Sequence, residues 1–415
     1  MNFDVFEAQL AAYHASLNGG PPVPGCKELL FLRAALQYQP DNVYVLNRLA
    51  SLAFELGCAG ESMQAARKSL AIQTTPEAQE IVDMIHDPFP PPTITLEIST
   101  VCTLRCPLCH LGRGLIDRAG RFMHHDAFTT IWDKIKATTT TVCMTGLGES
   151  FLNPDIYKIL ETIDDKAEVQ IDTNGNADID AARLMHANIN KIYFSIDGAD
   201  VETYEKYRKG GNFNRAVKNT RAMVAARGAK RKPWIAFKTV VFSHNEDKLE
   251  NIKEFARDLG VDEFKADPCV YEPAFGSEYL YLLARDPAWH RVKAVDFTTG
   301  RVYPMHERDS CHCTVPMNMI FIDVDGNVGP CCSTFPMPIL GNLQVQSLEE
   351  IWTSEAARVF RAAALENRYA VPACRRCSFP LPSMGHCFDG TCLEEKREEI
   401  PLTATHLPLP FQEKK

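Results

Sequence analysis

Apolar residues in the first part of the chain recur at three- and four-residue steps: Leu46, Leu49, Ala50, Ala53 and Phe54, then Ala65, Ala66 and Leu70. That period sets them on one face of successive helices, so the spacing predicts a helical region over 1–87. From 93 to about 270 the pattern changes. Runs rich in β-branched and aromatic residues lie near 93–99, 141–145, 168–172, 191–196, 234–242 and 263–266. Amphipathic stretches such as Ala127–Ala137, Pro154–Ile163 and Lys248–Leu259 separate them. Strands alternating with helices pair in parallel through right-handed crossovers. Six such units predict an α/β fold built on a partial, TIM-like (β/α)6 barrel, with its chemistry at the C-terminal ends of the strands.

Two breaks divide the pattern. Asp87-Pro-Phe-Pro-Pro-Pro-Thr93 carries four prolines in five positions, which no helix can continue, so it reads as a linker. From about 305 the alternation fails and Cys, Pro, Gly and Met dominate. One hairpin signal remains there, Met319–Val324 followed by Asp325-Gly326-Asn327. Apolar content is thin for a separate core, so bound metal is expected to hold that segment together. The expected organisation is a helical region at 1–87, a partial barrel at 88–300, a small metal-bearing domain at 301–394 and a polar tail at 395–415.

Net charge is −9, with 45% apolar and 23% charged residues, the profile of an ordinary globular protein. A broad nucleic-acid footprint would need a basic stripe, so nucleic acid is not expected as a partner. No window reaches the ~18 uninterrupted apolar residues of a membrane span, and the N-terminus does not read as a secretion signal. The cytoplasm is the expected compartment. Fifteen cysteines are too clustered for a disulfide framework: eleven lie at 102–109 and 311–392. Cys26, Cys58 and Cys143 stand alone and read as small buried hydrophobes.

Cys102, Cys106 and Cys109 stand four and then three positions apart, just after the first strand run. Three thiolates on one loop can hold three irons of a 4Fe–4S cube and leave the fourth iron open to a substrate or cofactor. A structural zinc site with His110 as fourth ligand is the alternative that the spacing leaves open.

The run Cys-Thr-Leu-Arg-Cys-Pro-Leu-Cys resembles the signature of the radical S-adenosylmethionine (radical SAM) superfamily, with Leu108 at a usually aromatic or large apolar position. Further stretches resemble that family at successive strand ends. Gly148 and Glu149 fit its Gly-Gly-Glu-Pro motif, although Leu147 replaces the first Gly and Ser150 the Pro. Thr173-Asn174-Gly175 resembles the turn near the SAM ribose, and the resemblance sets Ser195 and Arg208 near the SAM carboxylate. It implies reductive cleavage of SAM to a 5′-deoxyadenosyl radical that abstracts a substrate hydrogen, with the electron from a reducing partner such as flavodoxin or ferredoxin.

Cys313, Cys331, Cys374 and Cys377, with Gly326 five positions before Cys331, resemble the SPASM/twitch extension that binds auxiliary 4Fe–4S clusters. This implies at least one auxiliary cluster, with a role in accepting an electron. Ser383 stands where a full SPASM domain has a further cysteine, leaving open whether Cys311, Cys332, Cys387 and Cys392 bind a second one. Cys269, just after the sixth strand, is either a packed loop thiol or a hydrogen donor to a substrate radical. Residues 35–70 resemble one to one and a half tetratricopeptide repeats, which fits a peptide or protein substrate or equally a helical cap. The expected function is oxidation or crosslinking of a peptide or protein. Oxidation or epimerisation of a small molecule such as a sugar is the alternative, and a non-catalytic metal-binding adaptor lies outside the enzyme class.

Overall fold

The computed structural model describes residues 26–55, 59–86, 91, 93–116, 119–230, 232–286, 289–290, 292–296, 301–304, 313, 315–332, 337–367, 371 and 374. The chain divides between Phe89 and Pro90 into two compact units. In the first, the periodic apolar residues form helices Cys26–Tyr38, Val43–Glu55, Ala59–Ile72 and Pro76–His86. Leu46, Leu49, Ala50, Ala53, Ala65 and Ala66 are buried between them, as the three- and four-residue spacing requires. The buried Ser62 hydroxyl donates to Ala50 O (2.6 Å), which satisfies a polar group inside this small core.

The second unit is built on strands β1 (Thr93–Leu96), β2 (Thr141–Met144), β3 (Glu168–Thr173), β4 (Lys191–Ser195), β5 (Trp234–Val241) and β6 (Glu263–Pro268), in that spatial order and all parallel. Burial alternates along β2, β3 and β4. Ile94, Val142, Val169, Ile192 and Ile235 are buried against the helices, among them Phe128, Trp132 and Ile159. The opposite face carries the half-buried Cys143, Gln170, Asp172, Tyr193 and Lys238.

The sheet does not stop at six strands. Antiparallel β7 (Val292–Asp296) and β8 (Arg301–Pro304) form a separate ribbon, and the 300/301 boundary falls between them. Three further strands, β9 (Met319–Ile322), β10 (Asn327–Gly329) and β11 (Gly341–Asn342), then extend the sheet to nine in the order β11-β10-β9-β1-β2-β3-β4-β5-β6. β9 runs parallel to β1, pairing Thr95 with Phe321, and the hairpin closes with β10 antiparallel. Gly326 makes that turn at φ +81°, where a side chain would be strained. The hairpin covers an edge of β1 that would otherwise offer unpaired backbone groups. Ile320, Ile322, Val328, Leu348, Ile351 and Trp352 join the main core. The segment thus shares the core of the main sheet and builds none of its own from these residues.

Among the described residues no helix is long and apolar enough to cross a membrane. Phe128 is fully buried and stacks on Trp132 with ring centroids 6.0 Å apart. Replacing Phe128 with Ala is expected to cost about 3–5 kcal/mol, read as a lowered unfolding midpoint of the second unit.

Candidate active site

The three-cysteine loop is anchored on both sides. Beyond β1, Glu97 N donates to Ile322 O (2.9 Å) and Thr100 N to Arg121 O (2.9 Å). Arg105 N then donates to Lys209 O (2.7 Å), tying the middle of the loop to the segment after β4. Gly112 folds back onto Cys106, where a Cβ would lie 2.6 Å from Cys106 O, so no larger residue fits. Cys106 is buried, and Cys102 and Cys109 are half-buried. Leu104, Tyr207, Phe242 and Leu282, with Leu108 alongside, form one apolar cluster with these thiols.

This donor set suits an iron–sulfur cluster. Thiolates are the soft ligands such clusters take, and the apolar shell keeps water away. Burial pushes the Cys106 thiol up to about 12 and raises Cys102 as well, so without metal these groups hold their protons and metal must displace them. The zinc alternative fares worse. His110 Nε2 faces Glu272 Oε2 at 3.1 Å, and its ring meets Phe275 edge-on. Among the described residues, no group of three or more His, Cys, Asp or Glu side chains is placed to hold a single ion. A cube, taking each thiolate on a different iron, needs no such convergence on one point.

Glu149 ties three strand-end loops together. Its N–H donates to Val101 O (2.8 Å) in the cysteine loop. Oε1 accepts from Thr173 Oγ1 (2.7 Å) and Phe151 N (3.2 Å), and Oε2 from Asn174 N (2.7 Å). Burial raises the Glu149 carboxyl, and those three hydrogen bonds oppose it. Asn174 Nδ2 in turn reaches Cys102 Sγ at 3.5 Å. Gly148 is needed for close approach, because a Cβ there would lie 2.2 Å from Ser99 O.

Arg208 forms an ion pair within the protein. Its Nε and Nη2 reach the two oxygens of Asp197 at 2.6 and 3.3 Å. Asp197 Oδ1 also accepts from Val240 N (2.8 Å) on β5. Burial alone would lower the Arg208 pKa, but the Asp197 charge beside it lifts it well above its usual value, so the guanidinium stays charged. Ser195, half-buried at the end of β4, pairs in register with Lys238.

Cys269 is buried in the apolar cluster that holds the three thiols, and its N–H donates to Trp289 O (2.6 Å). It shares that cluster with Leu104, Tyr207 and Phe242. Cys143 departs from the buried-hydrophobe reading. Alternation on β2 turns it away from the core and toward Asp172, Cys332 and Lys238, and burial is the main cause of its rise to about 11. On the same face Lys238 Nζ lies 3.2 and 3.3 Å from the Asp172 oxygens. The apolar residues flanking Cys143 could have signalled its orientation; the Lys238–Asp172 pair had no local signal.

Of the second cysteine group, Cys313 and Cys374 share a small cluster with Phe360 and Ala364, and Cys313 N donates to Ala364 O (2.7 Å). Cys331 is buried just after β10. Cys311, Cys377, Cys387 and Cys392 lie outside the described residues, as do Cys58 and the expected tail.

A parallel sheet whose first strand end presents three clustered thiols, with later strand ends tied to that loop, defines a class: an enzyme built around a cluster at the strand C-termini. Residues 96–256 match the family model of the radical SAM superfamily, and residues 311–378 match SPASM, an iron–sulfur cluster-binding domain. The chain belongs to the radical SAM superfamily and carries a SPASM domain. Its cofactors are therefore a SAM-binding 4Fe–4S cluster, auxiliary iron–sulfur chemistry and SAM. A curated relative is the tungsten-containing aldehyde ferredoxin oxidoreductase cofactor-modifying protein of Pyrococcus furiosus, 24% identical over 321 residues, 68% of this chain and 86% of that protein. In fold the chain resembles Streptococcus suis SuiB bound to precursor peptide SuiA (TM-score 0.52, 12% identity, 80% of this chain and 89% of that one). It also resembles anSMEcpe with bound AdoMet and the Cp18Cys peptide (TM-score 0.50, 14% identity, 70% and 88%).

Gly148→Ala should misplace the Glu149 loop, because the clash is with backbone and cannot be relieved by a rotamer. The expected result is at least a tenfold loss of SAM affinity, measured by equilibrium dialysis on the reconstituted protein, with auxiliary iron unchanged.

Proposed function

We propose that this enzyme oxidises or crosslinks a peptide or protein substrate. Cys102, Cys106 and Cys109 would hold the cluster that, with SAM bound, supplies the hydrogen-abstracting radical. Cys313, Cys331, Cys374 and Cys377 would hold an auxiliary cluster suited to taking up the second electron of an oxidation. A flavodoxin or ferredoxin is the proposed source of the reducing electron. Around the thiols, Leu104, Leu108, Tyr207 and Phe242 exclude water, which protects a reactive intermediate from side reactions. Glu149, with Thr173 and Asn174, fixes the loops at the ends of β2 and β3 that would receive SAM.

The observation that carries the peptide reading is the fold match with SuiB, which spans 80% of this chain and whose structure holds a precursor peptide. The anSMEcpe structure was likewise captured with a peptide. The N-terminal helical unit adds support: Tyr38, Tyr44 and Ile72 are exposed on it, apolar surface of the kind a peptide partner covers. A second reading, oxidation or epimerisation of a small polar molecule, draws on the charged Asp172–Lys238 pair on the sheet face away from the helices.

Replacing Cys102, Cys106 and Cys109 with Ala should abolish 5′-deoxyadenosine formation while auxiliary iron remains bound. Replacing Cys374 and Cys377 should do the reverse to iron content, removing auxiliary iron; both are read by iron analysis and chromatography of SAM products. Retained SAM cleavage in the first variant would overturn the assignment of those ligands.

Deleting residues 1–87 should leave uncoupled SAM cleavage intact and lower turnover of a peptide substrate. A truncated chain that fails to fold would instead make the helical unit a structural cap.

A further inference from the structure

We propose that residues 272–279, after β6, form a clamp on the cysteine loop, and that His110 and Arg113 are the positioning residues through which it holds the third thiol. The clamp has two tethers. His110 follows Cys109 directly; its Nε2 lies 3.1 Å from Glu272 Oε2, and its ring meets Phe275 edge-on with centroids 4.9 Å apart. One turn further along, Arg113 Nη1 donates to Tyr279 Oη (2.8 Å), and its guanidinium lies 4.6 Å from the centre of the Tyr279 ring. Arg113 Nη2 reaches Glu278 Oε1 at 3.4 Å.

Both tethers act on the turn that carries Cys109. Arg113 N donates to Cys109 O (2.9 Å), and Leu115 N to His110 O (2.8 Å). Gly112, inside the same turn, rests on the Cys106 backbone. A pull at His110 or Arg113 is therefore transmitted to two thiols through short, stiff connections. On the other side, Tyr207 Oη donates to Leu108 O (3.3 Å), so the Cys109 turn is held from two directions.

The anchoring segment is itself immobilised. Tyr271 and Phe275 are buried, Tyr271 Oη donates to Gly276 O (3.0 Å), and Ser243 N donates to Leu282 O (2.9 Å). Leu282 belongs to the apolar cluster around Cys106. The His110 and Glu272 side chains are only 12% and 15% exposed, so water competes little for their hydrogen bond. Groups one step removed from metal ligands orient them and control solvent access, and their loss typically weakens metal retention by about 10- to 100-fold. None of these side chains supplies a ligand in this scheme; they act through Cys109.

The test uses the full-length chain, reconstituted anaerobically, with Glu272→Ala and Tyr279→Phe singly and combined. Tyr279→Phe removes one hydroxyl and keeps the ring beneath Arg113, so it should fold as the parent does. His110→Ala is compared with His110→Gln, which restores a donor toward Glu272. Two readouts are independent of turnover: the rate at which a ferrous chelator strips iron, and the electron paramagnetic resonance spectrum of the reduced cluster with and without SAM. Auxiliary iron, followed in a Cys102/Cys106/Cys109→Ala background, is the internal control.

The combined variant is expected to lose catalytic-cluster iron at least about 10-fold faster, with an altered SAM-dependent spectrum and unchanged auxiliary iron loss. His110→Gln should recover part of the loss seen in His110→Ala. Wild-type rates and spectra in the combined variant would overturn the proposal. So would equal acceleration of auxiliary iron loss, which would mark a general loss of stability.

Discussion

One buried carboxylate holds the working edge of this sheet together. Glu149 is the point through which the loops after β1, β2 and β3 are fastened: its backbone N–H grips Val101, and its carboxylate takes the Thr173 hydroxyl and the Asn174 amide. Burying a charge is costly unless it is fully hydrogen-bonded, and here three donors meet it. Hydrogen bonds to a charged group contribute about 1.5–3 kcal/mol each, and a donor left unmade costs a similar amount. Asn174 extends the chain of contacts to Cys102 Sγ, so the carboxylate reaches the first thiol through one side chain.

A second buried pair does the same on the other side. Asp197 holds Arg208 with both oxygens, and through Val240 N it fastens the end of β5. Asn245 Nδ2 closes on Asp197 O (2.9 Å). From this pair the chain returns to the cysteine loop through Lys209 O and Arg105 N. Isolated buried ion pairs add little stability on their own account, since desolvation offsets the attraction. Their value here is geometric: breaking either partner strands a charge, so the loops have a single low-energy arrangement. A cluster bound by three thiolates requires that arrangement, because each sulfur must meet a different iron.

Much of this was legible in the chain. The strand runs near 141–145, 168–172 and 191–196 became β2, β3 and β4 almost residue for residue, because one fully buried face selects apolar and β-branched residues at every second position. The cysteine loop was legible because its ligands are local. What stayed hidden was non-local. Nothing near Met319 announces that β9 will pair with β1, more than two hundred positions earlier. His110 and Glu272 are 162 positions apart, and Arg113 and Tyr279 are 166 apart. Arg208 was placed by resemblance toward a cofactor carboxylate; its pairing with Asp197, eleven residues back across the strand-end turn, had no signal in the sequence. Cys269 was readable as a packed loop thiol after β6 and is buried there; that it packs against the residues of the cysteine loop was not readable.

The arrangement divides the strand ends into two environments with different physics. Around the thiols, Leu104, Tyr207, Phe242 and Leu282 make a dry pocket in which charges interact strongly and water is kept from a radical. On the sheet face away from the helices, Cys143, Asp172, Tyr193 and Lys238 form a half-buried polar floor. Asp172 directly precedes the Thr173-Asn174 turn, and Lys238 stands opposite Ser195, so floor and pocket meet at the same strand ends. Charge is thereby gathered beside the strand ends and apolar surface around the thiols, which keeps the Asp172–Lys238 pair out of the low-polarity surroundings of the cysteine loop.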